Sequence, residues 1–304
     1  MTVRAPLPRE RAKRIVYVGT PQIAVPPLRA LIAAGFEVAL VVTGVDKRRG
    51  RGNTVSPCPV KEAAIEMGLA VSHDINDVLS LNADGVLGVV VAFGSIISDQ
   101  VLQHVPMINI HYSALPRWRG AAPVERAILA GDTTTAVCII QVVEQLDAGE
   151  ILASAVCPID DNDTANSLRN RLGELSLPLL IDVCTHGVSS EQPQEGEVVV
   201  AKKIVAHDLR IDWQTDAKYI LRQVRLGNAF TFLDGKRFKI HEARVNSQTH
   251  PPASIVHNDE CVLVGAGTGS VELLSVQPEG KPRLSARDWA NGLRLNQQHV
   301  FGEG

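Results

Sequence analysis

Short, almost wholly apolar runs separated by helical stretches restrict this chain more than any other feature. Residues 14–18, 37–42, 86–93 and 107–110 are apolar on successive rather than alternate positions, as in strands covered on both faces. Between them, Ala24, Leu28 and Leu31 recur at helical spacing, and helical stretches follow around 60–67 and 96–105. Strands alternating with helices predict βαβ units in an α/β, mostly parallel sheet with helices on both faces. Two further β-rich runs, 136–143 and 151–157, close at Pro158 and precede a helix over about 165–184. Asp160, Asp163 and Thr164 stand directly before that helix, where Asp and Thr serve as N-caps rather than as metal ligands.

The pattern changes after residue 186. Residues 187–196 are rich in Ser, Glu, Gln, Pro and Gly, which reads as interdomain linker. A length of 304 residues suits two domains, at about 150 residues each. We therefore expect domains at 1–186 and 202–304 joined by a linker at 187–201. Beyond the linker, one helical stretch (218–226) precedes short β-like runs at 238–243, 260–264 and 270–276, separated by the turn signals Asp234-Gly235 and Gly265-Ala-Gly-Thr-Gly269. A small antiparallel barrel or sandwich fits. Gly265 to Gly269 imitates a phosphate loop, but neither a following helix nor a Lys-Ser/Thr pair completes it, so a hairpin turn is expected.

The formal net charge of −3 gives by itself no sign of a nucleic-acid partner. Its distribution does. Residues 202–304 carry 14 Lys and Arg against 11 Asp and Glu, leaving 16 against 22 for residues 1–201. Within 202–240 nine basic residues face four acidic ones. A second focus is Lys47-Arg48-Arg49-Gly50-Arg51, four cations in five positions on a Gly-rich loop, which suits a phosphate backbone. No apolar run approaches the ~18 residues of a membrane span. The basic N-terminus leads into an apolar stretch that stops at Gly19-Thr20-Pro21, too short for a signal peptide, so a cytosolic chain is expected. The five scattered cysteines form no Cys-x-x-Cys pair and support neither disulfides nor zinc; no metal is expected.

Chemistry concentrates in Asn109-Ile-His111-Tyr-Ser-Ala-Leu-Pro-Arg-Trp-Arg-Gly120. Asn109 and His111, two apart on a strand, point to one face at the carboxyl end, where α/β sheets place their ligand crevices. Asp147, in a turn after another apolar strand, completes an amide, imidazole and carboxylate set. Such a set suits transfer of an acyl group to an amine: Asn109 and protonated His111 stabilise the oxyanion, and Asp147 orients the imidazole. Neither a nucleophilic Ser elbow nor a His-Glu-x-x-His pattern occurs.

In these residues the chain resembles the folate-dependent formyltransferase family. The likeness runs in order through Val18-Gly-Thr-Pro21, Gly50-Arg-Gly52, Ser56-Pro-Cys-Pro-Val60, Val90-Val-Ala-Phe-Gly94, Asn109-Ile-His111 and Leu115-Pro-Arg-Trp-Arg-Gly-Ala-Ala-Pro-Val124. It continues through Leu146-Asp-Ala-Gly149, Arg210-Ile-Asp-Trp213 and Leu274-Ser-Val-Gln-Pro-Glu-Gly-Lys281, covering nearly everything after the first dozen residues. The C-terminal matches narrow it to the tRNA-directed members. The resemblance implies a Rossmann-like catalytic domain and an OB-like C-terminal barrel that binds tRNA. It implies 10-formyltetrahydrofolate as formyl donor and the α-amino group of methionyl initiator tRNA as acceptor; a monomer is expected. By the same resemblance the catalytic trio is Asn109, His111 and Asp147, and folate contacts fall on Ser113, Ala114, Leu115 and Pro116 with Phe93 and Gly94 nearby. Contacts to tRNA are expected at Lys47, Arg49 and Arg51 of the cationic loop, and at Lys202, Lys203 and Arg222. The Arg117-Trp118-Arg119 stretch is expected to shape the pocket rather than stack bases.

Two departures are visible: Ala114 stands where the family carries Leu, and Asn228-Ala-Phe-Thr231 lacks a Pro-Gly insert common before it. Two other readings share parts of the pattern. One is a sugar-nucleotide or other small-amine N-formyltransferase; the other is a catalytically dead folate- or RNA-binding module.

Overall fold

The computed structural model describes residues 4–49, 54–258, 260–292 and 300–302. In chain order the first part runs β1 (Arg14–Gly19), α1 (Val25–Ala33), β2 (Glu37–Val42), β3 (Lys47–Arg49), β4 (Thr54–Ser56), α2 (Pro59–Glu66) and β5 (Val71–Ser72). It continues through β6 (Val86–Val91), α3 (Asp99–His104), β7 (Met107–His111), β8 (Arg117–Gly120), α4 (Pro123–Ala130), β9 (Thr134–Gln141), β10 (Ile151–Pro158), α5 (Ala165–His186) and β11 (Val199–Ala201). The remainder comprises α6 (Ala206–Leu209), α7 (Ala217–Arg225), β12 (Phe230–Leu233), β13 (Lys236–Asn246), β14 (Ile255–His257), β15 (Val262–Gly265), β16 (Ser270–Pro278), β17 (Leu284–Ser285) and α8 (Ala286–Gly292). None of the described helices is long and apolar enough to cross a membrane.

Seven strands form the principal sheet in the order β10-β9-β7-β6-β1-β2-β5. β5, β2, β1, β6 and β7 are mutually parallel, while β9 and β10 join antiparallel. This is the Rossmann-like α/β arrangement, and its apolar runs are its buried strands: every residue of β6 is buried, as are five of the six in β1. From β1 the chain winds outward to β2 and β5, then returns to place β6 on the opposite side of β1. The order therefore reverses between β1 and β6, and the carboxyl ends of strands beside such a reversal border the crevice of an α/β sheet. β6 stops at Val91, short of the expected Phe93, because Ala92 turns the chain with a left-handed φ of 49°. The expected helix from 96 begins only at Asp99, after Ser98. Thr164 caps α5, its Oγ1 accepting from Ser167 N at 3.1 Å.

Six antiparallel strands form the second sheet, β12-β13-β16-β15-β14 with β17 on β16, bent into a half-barrel. Hairpin chemistry sets its corners. Asp234 and Gly235, at φ 51° and 71°, make the two-residue turn between β12 and β13. Gly265 to Gly269 is the β15–β16 hairpin, with Ala266 N donating to Gly269 O at 3.1 Å. Register shifts near Glu242 bend the long β13. The segment Val300–Gly302 bridges the two sheet edges, pairing with Ser254 beside β14 and with Phe232 in β12. Its Phe301 is buried against Trp213, Trp289 and Phe238, with ring centroids 5.4, 6.2 and 5.1 Å away.

The polypeptide divides into two compact units. One comprises Met1–Pro123, Thr134–Pro158 and Arg169–Ala201; the other comprises Val124–Thr133, Ile159–Leu168 and Lys202–Gly304. Side chains tie the three pieces of the second unit together. Arg126 grips Asp208 with two hydrogen bonds of 2.8 and 2.9 Å, and Arg225 donates to the carbonyls of Asp160 and Asp163. Residues 187–201, expected as linker, are woven into the first unit: Gln192 pairs with Ile151, and β11 pairs in parallel with β8.

Phe301→Ala should lower the stability of the second unit by about 3–5 kcal/mol, the usual cost of emptying a buried aromatic site. Urea denaturation followed by the fluorescence of the adjacent Trp213 and Trp289 measures it; an unchanged midpoint contradicts the closing role of this residue.

Candidate active site

β7 ends with Asn109 and His111 on one face, beside the carboxyl end of β6. The period of two that puts them together also buries Ile108 and Ile110 on the other face, anchoring the strand. Asp147 reaches them from the 142–150 connection between β9 and β10. It adopts a left-handed φ of 51°, which turns its side chain back over the strand. Gly149 makes this turn possible by lying flat against β9: an added Cβ would stand 1.8 Å from Gln141 O.

The three side chains meet, though loosely. His111 Nδ1 lies 3.6 Å from Asp147 Oδ2, with the two side chains only 6% and 11% exposed. Asn109 Nδ2 lies 3.5 Å from Asp147 Oδ1. The tightest contact to the carboxylate comes from the backbone, Gly120 N donating to Oδ2 at 2.8 Å. On its other side, the His111 ring places Nε2 at 2.9 Å from Trp118 O. A carbonyl only accepts, so Nε2 carries the hydrogen there and Nδ1 is the nitrogen turned to Asp147. Trp118 holds a left-handed φ of 67°, aiming its carbonyl into the site, and its ring lies under the Arg117 guanidinium.

Of the expected folate residues, Ser113, Leu115 and Pro116 are buried, whereas Ala114 is exposed. Leu115 packs with Ala136, Cys138 and Ile140, fixing the loop to β9. Cys138 donates to Ser113 O at 3.2 Å, and burial pushes its thiol up, which suits a structural cysteine. Burial likewise pushes the Tyr112 phenol, which lies by Gly173 of α5, up to about 12. Phe93 follows β6 and packs against the cluster around Val16 and Val90, with exposed Gly94 next to it. Apolar Ile96 and Leu146 protrude nearby in sequence, 92% and 69% exposed.

The cationic residues are distributed differently. Lys47 is exposed on β3, which pairs with β4, so the cationic stretch starts as a hairpin arm rather than a plain loop. Arg51 and the Arg49 side chain lie outside the described residues. Lys202 and Lys203 are exposed, and Arg126 holds their backbone carbonyls. Arg222 is half-buried, its guanidinium packed over Gly131.

Sequence reasoning missed Gln194. Its Nε2 donates to Asp147 O at 2.8 Å and Gly149 O at 2.7 Å, and its Oε1 accepts from Arg119 Nε at 2.9 Å. The Pro-Gln-Glu-Gly composition around it imitates a linker; the apolar run at 198–201, which becomes β11, was the available sign of an ordered segment.

Comparison with known proteins places these features in context. Residues 13–184 match the formyl transferase family, and residues 203–294 match the formyl transferase C-terminal domain. The chain is 42% identical over 303 residues to a methionyl-tRNA formyltransferase of Methylococcus capsulatus, covering 93% of this chain and 97% of that one. It is 37% identical over 309 residues to a methionyl-tRNA formyltransferase of Paenarthrobacter aurescens, covering 95% and 99%. Among solved structures it superposes on an N-formyltransferase from Helicobacter canadensis, bound to folinic acid and dTDP-3-aminofucose, with a TM-score of 0.67 and 18% identity over 87% of this chain and 99% of that one.

Behind the Asp147 turn, Glu150 hydrogen-bonds Glu191, and this neighbouring carboxyl raises the Glu150 pKa above its ordinary value. A carboxyl raised in the folded state stabilises the fold below the unfolded value and loses that contribution as pH climbs through the folded value. Glu150→Gln keeps a hydrogen-bonding partner while removing one charge. It should raise thermal stability at neutral pH relative to the parent and flatten the decline above pH 4.5, the ordinary value. Parallel pH–Tm curves for the two proteins exclude the effect.

Proposed function

The chain belongs to the formyl transferase family, and on that premise we propose that it transfers the formyl group of 10-formyltetrahydrofolate to the α-amino group of methionyl initiator tRNA. The observation that carries this reading is likeness to methionyl-tRNA formyltransferases over nearly the full length, at 42% and 37% identity. Both the catalytic and the C-terminal family segments are present. In this reading the enzyme works with the translation apparatus in the cytosol, as a monomer.

The free α-amine attacks the formyl carbon, forming a C–N bond and a tetrahedral oxyanion. Collapse breaks the bond to N10 of the folate, and the proton lost by the attacking nitrogen ends on N10. Asn109 has an N–H to give the oxyanion beyond the one turned to Asp147. His111 donates through Nε2 once the substrate oxygen replaces Trp118 O as its acceptor. Asp147, fixed at Oδ2 by Gly120 N, holds the imidazole by Nδ1. Donors held in advance of the developing charge need no reorganisation during reaction, which is why each one matters. We assign folate to the 113–116 loop with Phe93 and Gly94, and tRNA to Lys47, Arg49 and Arg51 with Lys202, Lys203 and Arg222. In the same reading residues 1–186 carry the chemistry and 202–304 dock the tRNA.

Incubating the protein with 10-formyltetrahydrofolate and charged initiator tRNA should give formylmethionyl-tRNA; formylation of free amino sugars without response to tRNA overturns the reading in favour of a small-amine enzyme. No turnover on any amine leaves only a binding module. Asn109→Ala and His111→Ala should each lower the rate by about 100–1,000-fold in folded protein, the typical loss for an oxyanion donor, and Asp147→Ala should sharply lower it by releasing the imidazole. Binding of tRNA should weaken steeply with salt, and Arg51→Ala should reduce it without affecting folate affinity. Salt-independent binding contradicts the electrostatic assignment.

A further inference from the structure

We infer that Gln194 is a positioning residue that acts through Asp147; this deepens the formyl-transfer reading and rests on it. The Gln194 amide uses both hydrogens and its oxygen on groups from two segments. It donates to Asp147 O and Gly149 O, at 2.8 and 2.7 Å, in the turn between β9 and β10. It accepts from Arg119 Nε in β8, at 2.9 Å. Those two segments also meet at the carboxylate, where Gly120 N of β8 donates to Asp147 Oδ2. Asp147 is thus held twice against β8, by its side chain through Gly120 and by its main chain through Gln194.

The geometry explains why a second hold matters. The left-handed φ of Asp147 is a conformation that a non-glycine residue keeps only when its surroundings impose it. On one side Gly149 lies against Gln141 O; on the other, Gln194 draws both turn carbonyls toward β8. β8 in turn supplies the Trp118 carbonyl that meets His111 Nε2. One amide therefore sets the spacing between the strand that faces one nitrogen of His111 and the turn that faces the other.

Gln194 is itself well placed for this task. Two residues before it, Gln192 exchanges hydrogen bonds of 2.9 and 2.8 Å with Ile151. Five residues after it, Val199 enters β11 and pairs with Arg117. Further upstream, Arg9 donates to Val188 O and pairs with Glu191. An ordered path therefore leads from the N-terminal segment to the back of the Asp147 turn.

The test uses the full-length protein with Gln194→Ala and Gln194→Met, the second filling the same space without hydrogen bonds. A catalytic group displaced by about 1 Å loses up to ~100-fold in rate, so kcat for formyl transfer should fall by about 10- to 100-fold in both variants. KM for folate and for tRNA should stay unchanged. Because Gln194 acts through Asp147, the double variant Asp147→Asn/Gln194→Ala should be no slower than Asp147→Asn alone. Wild-type kcat in Gln194→Met, or losses that multiply in the double variant, overturn the inference. A readout independent of turnover is the Gly120 amide resonance, which should move in Gln194→Met as it moves in Asp147→Asn. If the parent protein fails to formylate methionyl-tRNA, the functional reading falls, and an unmoved Gly120 resonance then separately overturns the positioning role.

Discussion

The carboxylate of Asp147 is fixed by the backbone N–H of Gly120, and the remainder of the site is arranged around that 2.8 Å contact. The contacts from the two side chains with which Asp147 forms the trio are long, at 3.5 and 3.6 Å. A hydrogen bond to an ionised oxygen is roughly twice as strong as a neutral one, so the backbone donor sets where the charge sits. Asn109 and His111 then face a charge already in place. Their own positions come from β7, a strand whose buried Ile108 and Ile110 leave it little freedom. The site is thus a rigid strand facing a turn, and the strength of the arrangement lies in what holds the turn.

Much of this was legible in the chain itself. The apolar runs of β1, β6 and β7 could be read directly because burial on both faces leaves mostly one kind of residue tolerable along their length. Asn109 and His111 stand out for the complementary reason: polar groups at the end of such a strand need a use. The hairpin turns at Asp234-Gly235 and 265–269 followed from the backbone conformations that only a few residues accept.

What escaped the sequence reading shares a physical cause. β8 and β11 are four- and three-residue strands that pair only with each other, so their stability comes from a partner roughly eighty residues away rather than from any local pattern. Gln194 looked like linker because Pro, Gln, Glu and Gly serve equally in tethers and in ordered loops held by hydrogen bonds. The cationic stretch at Lys47 gave its charge but not its pairing, since Arg-rich segments carry no alternation of buried and exposed residues. Arg222 was visible as a cation and not as a packed one; only the absence of a side chain at Gly131 leaves room for its guanidinium.

The interleaving of the second unit has a consequence for how the molecule is made. Residues 124–133 and 159–168 leave the ribosome before the residues they accompany from 202 onward. During that interval Arg126 has no Asp208 to grip, and the carbonyls of Asp160 and Asp163 wait for Arg225. Synthesis therefore cannot finish one half and then begin the other. The early segments remain provisional until the late ones arrive, so the second unit, begun before the first is complete, is finished only when the last third of the chain has emerged.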